Sequence, residues 1–182
     1  SSLKDLQYNV SFLDDDCIAE GGEFFFLPKE NILLAGQNRN NLKGAEQMAE
    51  KLKVSHLHII KSSGYHLDTS IAPIFNNEYD CIGIICAREV FSNKEITNLR
   101  NICKINDWDL IEIEHQHPNE SLKFRTSMNG LTLPGLFIGS KEIRQNKIFE
   151  FGLSNNIIFD NTSVSQFNLS GGSVHCLTNE LF

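Results

Sequence analysis

Four residues far apart in the chain carry the side chains of a nucleophilic site: Glu20, His66, Asp68 and Cys176. Cys176 lies in Ser170-Gly171-Gly172-Ser173-Val174-His175-Cys176-Leu177-Thr178, just after a Gly-Gly pair. Val174–Leu177 reads as a short apolar strand, and glycines ahead of a strand let backbone approach a ligand closely. A thiol held there is fixed and still reachable. His66 and Asp68 stand in His66-Leu67-Asp68, and Glu20 opens Glu20-Gly21-Gly22-Glu23. Cysteine, histidine and carboxylates assembled by folding can form a covalent adduct, move protons and hold a substrate. On an alternating strand His175 faces away from Cys176, so a supporting or buried role is expected of it.

Each piece also has a plain structural reading. Cys176 alone would be a buried strand cysteine. His66 would be a loop or core histidine, Glu20 and Glu23 turn and strand-edge acids, and Arg39 a solvated residue before a helix. Phe24-Phe25-Phe26 reads as strand core. His56/His58 and His115/His117 form two His-x-His pairs that share a strand face. For neither pair does a nearby cysteine or acid complete a clear ligand set, so no metal site is expected.

The elements that must position these groups repeat along the chain. Leu33–Gly36 reads as strand, Asn41–Lys53 as helix and His56–Lys61 as strand. The same order recurs over Cys81–Cys86, Asn93–Asn106 and Trp108–Glu114, and again over Leu136–Gly139, Lys141–Phe151 and Asn156–Asp160. The helices carry apolar residues at three- and four-residue spacing, as in Ala45, Met48, Ala49 and Leu52. Ser92-Asn93-Lys94-Glu95 is a capping pattern. An extra strand precedes each unit, at Glu23–Leu27, Ile71–Phe75 and Gly130–Leu133. The chain thus reads as α/β, with three ββαβ modules and one lone strand at Val174–Leu177. One module cannot bury its own apolar face, so such repeats stack or close into a ring. A ring would need more chain to finish the last unit.

Composition narrows the function classes. The 182 residues are 41% hydrophobic, enough for one domain with a core, residues 1–182. Net charge is −7 with no basic cluster, which argues against nucleic acid as a partner. The longest apolar stretch, around Cys81–Ala87, is too short to span a bilayer. No charged-then-apolar leader precedes Leu3, and the start at Ser1-Ser2 without Met suggests processing. The five cysteines, at 17, 81, 86, 103 and 176, lack zinc-type spacing. They read as thiols in a reducing cytoplasm.

Taken in order, Glu-Gly-Gly, His-Leu-Asp and Gly-Gly-x-x-His-Cys resemble the guanidino-group-modifying superfamily of pentein fold. It contains arginine and agmatine deiminases, dimethylarginine dimethylaminohydrolases and glycine amidinotransferases. The resemblance covers nearly the whole chain but only the C-terminal three-fifths or so of a typical member. It implies a five-module α/β propeller with the site at the central axis, of which this chain is a partial catalytic domain. It implies Cys176 as nucleophile, His66 as catalytic histidine, and Asp68 and Glu20 as acids that grip the guanidinium. Arg39, in Asn38-Arg39-Asn40-Asn41, matches an arginine that binds the substrate α-carboxylate, although Asn40 replaces the usual Thr. Glu23 is expected in substrate contact or in support of the site. A further acid of the family's N-terminal modules has no match in residues 1–19.

The implied chemistry follows from the guanidinium, a planar cation that two carboxylates can fork. Cys176 would attack its carbon and His66 would protonate the leaving nitrogen. A covalent thiouronium would then be hydrolysed, with no metal or organic cofactor. Asp68 favours an unsubstituted guanidinium, and Arg39 favours arginine over agmatine. The leading expectation is thus an arginine deiminase-like hydrolase. The alternatives are an amidinotransferase, or a catalytically silent guanidinium-binding half of a two-chain assembly. The absent modules lead to an expected pairing with a complementary segment or a second copy of the chain.

Overall fold

The computed structural model describes residues 10–114, 128–140 and 146–178. Three three-stranded sheets follow one another along the chain, each built on one plan. In the first, β1 (Phe24–Leu27) pairs antiparallel with β2 (Ile32–Gly36), which pairs parallel with β3 (His56–Ile60). Parallel neighbours need a crossover, and α1 (Leu42–Leu52) supplies it. The second module repeats this with β4 (Ile71–Phe75), β5 (Cys81–Ala87), α2 (Asn93–Ile105) and β6 (Asp109–Ile113). The third has β7 (Leu131–Leu133), β8 (Leu136–Ser140), α3 (Asn146–Asn155) and β9 (Ile158–Thr162). The three expected ββαβ modules are therefore present. The N-terminal part of the expected third helix, residues 141–145, lies outside the described residues, as do His115 and His117.

The repeat extends to backbone conformation where residue types do not repeat. Asn31, Tyr79 and Gly135 each take positive φ in the turn between a module's first two strands. Lys53, Asp107 and Asn156 do the same just after each helix. A left-handed residue ends a helix by turning the chain back and satisfying its last carbonyls, here through Lys53 N–H on the carbonyls of Ala49 and Glu50. The N-termini are capped by side chains: Asn41 Oδ1 accepts from Gly44 N–H and Ser92 Oγ from Glu95 N–H.

The middle strands β2 and β5 are apolar nearly throughout because both of their faces are covered. Leu33 is fully buried, and Leu34, Ile84 and Ile85 share one buried core with Leu99 from α2. Pro73 sits in β4, an edge strand, where a missing N–H does least harm. On β1 the alternation buries Phe25 and leaves Phe24 and Phe26 half-buried on the other face.

The C-terminal segment differs from expectation. Val174–Leu177 is not a strand: His175–Leu177 form a 3₁₀ turn, and Val174 is already in the right-handed helical region. Two competing hydrogen-bond sets explain this. Leu177 and Thr178 N–H bond back to the carbonyls of Val174 and His175, and Asn129 takes the N–H groups of His175 and Cys176. A short helix, α4 (Ser165–Leu169), precedes the turn. Among the described residues, no helix is long and apolar enough to cross a membrane.

Candidate active site

His66, Asp68 and Cys176 line one cleft of about 520 Å³. Gly22 and His175 complete its polar wall; Phe24, Phe26, Met48 and Leu52 give it an apolar side. All three loops that bring catalytic candidates here end in 3₁₀ turns. Glu20 precedes the turn Gly21–Glu23, His66 precedes the turn Leu67–Thr69, and Cys176 lies within the third. Such a turn is short and rigid, and successive side chains fan out by roughly a third of a turn.

His66 Nε2–H donates to Glu20 Oε2 at 2.6 Å. Its ring is thereby fixed with Nδ1 toward Gly22, whose missing Cβ would lie 2.7 Å from Nδ1 and 3.1 Å from Asp68 Oδ2. Gly22 is thus required by close approach, whereas nothing stands within 4 Å of a Cβ at Gly21. Glu20 is itself held by Asn40, whose Oδ1 accepts the Glu20 backbone N–H at 2.8 Å. The residue at which the sequence departs from the motif it resembles is therefore the one that anchors this acid.

Asp68 is 2% exposed. Its Oδ2 accepts from His175 Nδ1–H at 2.9 Å, while Oδ1 is buried with no hydrogen-bond partner among the described residues. A buried carboxylate oxygen left without a donor is costly, and a ligand N–H would relieve it. The expectation that His175 faces away from the cleft is overturned. In a 3₁₀ turn, unlike a strand, neighbours do not alternate by half a turn, so both His175 and Cys176 reach the cleft.

Cys176 is exposed, and its backbone N–H donates to Asn129 Oδ1 at 3.1 Å. The Gly-Gly pair ahead of it divides in role. Gly171 has φ +85°, which glycine adopts without strain, while a Cβ at Gly172 would make only an ordinary contact at 3.7 Å. Three of the other described thiols are buried, and Cys17 is half-buried. Burial pushes the thiols of Cys86 and Cys103 up to about 12, and that of Cys81 higher still.

Glu23 is fully buried. Oε1 accepts from Arg39 N–H at 2.6 Å and Oε2 from Leu67 N–H at 2.9 Å. Burial raises its pKa, and these two amides, with His66 nearby, offset part of the rise. Both oxygens are used to staple the Arg39 loop to the His66–Asp68 turn. Arg39 is exposed and stands beside the cleft lining rather than in it. Its Nη2 donates to Tyr65 Oη at 2.6 Å, and its guanidinium lies 4.4 Å from the Tyr65 ring centre. The Tyr65 ring in turn packs 4.6 Å from that of His66.

Sequence reasoning missed Asn129, Tyr65 and the site-facing role of His175. Asn129 precedes a glycine and a strand, but nothing local marks it as partner of a segment 47 residues later. His56 and His58 share a face of β3, with ring centres 6.5 Å apart. Among the described residues, no three His, Cys, Asp or Glu side chains converge as metal ligands.

No protein-family model matches the chain, and no curated protein matches it by sequence. Its fold does match solved structures. One is the product-bound N-terminal domain of ArgZ, an arginine dihydrolase from the ornithine–ammonia cycle in cyanobacteria. It matches with a TM-score of 0.75 at 18% identity, over 97% of this chain and 61% of that one. The AgrE C264A mutant in complex with L-arginine matches with a TM-score of 0.72 at 17% identity, over 96% of this chain and 25% of that one. SxtG, an amidinotransferase from the saxitoxin biosynthetic pathway of Microseira wollei, matches with a TM-score of 0.61 at 18% identity, over 85% and 45%. These likenesses bear out, as to fold, the resemblance read from the motifs: the chain has the pentein α/β-propeller architecture. It spans about three-fifths of the length of the ArgZ domain.

Proposed function

We propose that this chain is the nucleophile-bearing part of a cysteine-dependent enzyme that acts on the guanidinium carbon of arginine or an arginine-like compound. The observation that carries this reading is the cleft itself, which Cys176, His66 and Asp68 line together. A guanidinium brings the paired N–H donors that a carboxylate edge takes up. An apolar side of the cleft, at Phe24 and Phe26, suits an alkyl stem better than water.

Asp68 and Glu20 fix the guanidinium plane. The Cys176 sulfur attacks the central carbon and forms the C–S bond. His66 gives its proton to the departing nitrogen, and the C–N bond breaks to release ammonia. His66, now neutral, takes a proton from water as its oxygen attacks the thiouronium carbon. The C–S bond breaks, leaving the ureido product and the thiol. Glu20, bonded to His66 Nε2, keeps the ring oriented through both proton transfers. Arg39, beside the cleft, binds the substrate carboxylate. The short coverage of the ArgZ domain favours a complementary segment, or a second copy, as the partner that completes the site.

The test is intact-mass analysis after incubation with 2-chloroacetamidine, comparing the parent with Cys176→Ser. A single adduct on Cys176, blocked by excess arginine, supports the reading. Citrulline, ornithine and ammonia yields, with and without an added amine acceptor, then separate hydrolysis from amidino transfer. An adduct spread evenly over exposed thiols would refute an assembled guanidinium site.

A further inference from the structure

The segment carrying Cys176 is pinned from two sides by side chains distant in sequence. From its own module, Asn129 accepts the Cys176 N–H through Oδ1 and the His175 N–H through its carbonyl, at 3.1 and 3.4 Å. From the other side, Asp68 Oδ2 accepts from His175 Nδ1–H across 107 residues of sequence. The His175 ring is backed by Phe25, a core residue of β1, at 5.5 Å between ring centres. The ring therefore touches the Asp68 turn, the first sheet and, through its own backbone, the nucleophile.

We infer that His175 is a positioning residue that registers Cys176 against Asp68 and, through its bond to Oδ2, holds the Asp68 carboxylate in one orientation. The inference rests on the guanidinium reading above. Its physical basis is a division of labour within one carboxylate. Asp68 is buried, so each of its oxygens needs a donor. Oδ2 has one in His175, and Oδ1 has none among the described residues. Without the Nδ1 donor, the carboxylate would be free to rotate. Cys176 would lose the link to the His66–Asp68 turn that its immediate neighbour provides. A carboxylate accepts and does not donate, so the imidazole carries its proton on Nδ1, the less common tautomer of a neutral histidine.

The experiment compares two alkylating reagents of similar size on the full chain, cationic 2-chloroacetamidine and neutral 2-chloroacetamide, and reads the ratio of their rates at Cys176. A merely structural role would lower both rates or neither; a positioning role moves the ratio. His175→Asn keeps an N–H donor on the atom bonded to Cγ, where Nδ1 stands, and His175→Gln moves the donor one carbon further out. We expect the Asn variant to hold the parental ratio to within about threefold. The Gln and Ala variants should lower it on the order of ten- to a hundredfold, the range for a hydrogen bond to a charged group. Parental ratios in His175→Ala, or an equal fall in Asn and Ala, would overturn the inference. A parent with no preference for the amidine would instead sink the guanidinium reading, and this inference with it. As a measurement independent of any variant's folding, long-range ¹H–¹⁵N correlation on the parent should show His175 protonated at Nδ1 at mildly alkaline pH. An Nε2–H tautomer there would also overturn it.

Discussion

Glu23→Gln isolates the staple that sets the cleft's geometry. Glu23 is fully buried and gives one oxygen to each of two backbone amides, those of Arg39 and Leu67. Glutamine has the same shape but only one acceptor. Either orientation leaves an amide N–H facing an NH2 group, and a buried donor without an acceptor costs about 1–3 kcal/mol. The side chain cannot withdraw, because Gly36 packs so closely that a Cβ there would fall 1.7 Å from Oε2. Removing the buried charge returns part of the loss, since burial is the main reason the Glu23 pKa is raised. A net destabilisation of about 1–2 kcal/mol is expected near neutral pH, a drop of roughly 0.5–1 M in the urea midpoint at a slope of about 2 kcal/mol/M. The pH dependence carries a second signature. A raised folded pKa means the folded state holds this proton more tightly than the unfolded state. Stability from this group is therefore full below the ordinary carboxylate range and is lost as pH rises through the raised folded value. The variant lacks this term, so the stability gap between parent and variant should narrow across that window and stay constant above it. Urea titrations at several pH values measure both effects. A variant as stable as the parent at neutral pH, or a gap that widens with pH, would refute the staple.

Three further outcomes are expected. Gly22→Ala places a Cβ 2.7 Å from His66 Nδ1 and should push the ring off Glu20, cutting amidine labelling of Cys176 at least tenfold while the urea midpoint moves little, since a surface-side ring can yield; unchanged labelling would contradict the close packing. A neutral thiol reagent at pH 8 should modify Cys176 first and half-buried Cys17 second, with Cys81, Cys86 and Cys103 reacting only after unfolding, because burial keeps those three as thiols; peptide mapping against time reads this directly. Ser92→Ala should cost about 1 kcal/mol by removing the cap of α2, visible as a lower melting temperature, whereas Ser92→Asp should not.

The sequence by itself determined the modules and singled out the candidate groups. Helical periodicity, caps such as Ser92 and the unbroken apolar runs of β2 and β5 are local signals, and each strand–helix–strand unit follows from them. Glu20, His66, Asp68 and Cys176 stood out because their types and neighbours suit one chemistry. Only the tertiary structure decided how those groups are held. The turn at His175–Leu177 reads as a strand locally; its backbone N–H groups find Asn129 instead of a neighbouring strand, and that changes the direction of His175. The part played by Glu23 depends on amides 16 and 44 residues away, and that of Asn40 on Glu20, 20 residues before it. Periodicity reports which face of an element is apolar. It carries no information about which distant backbone a buried polar group will meet, and that meeting is where the cleft takes its shape.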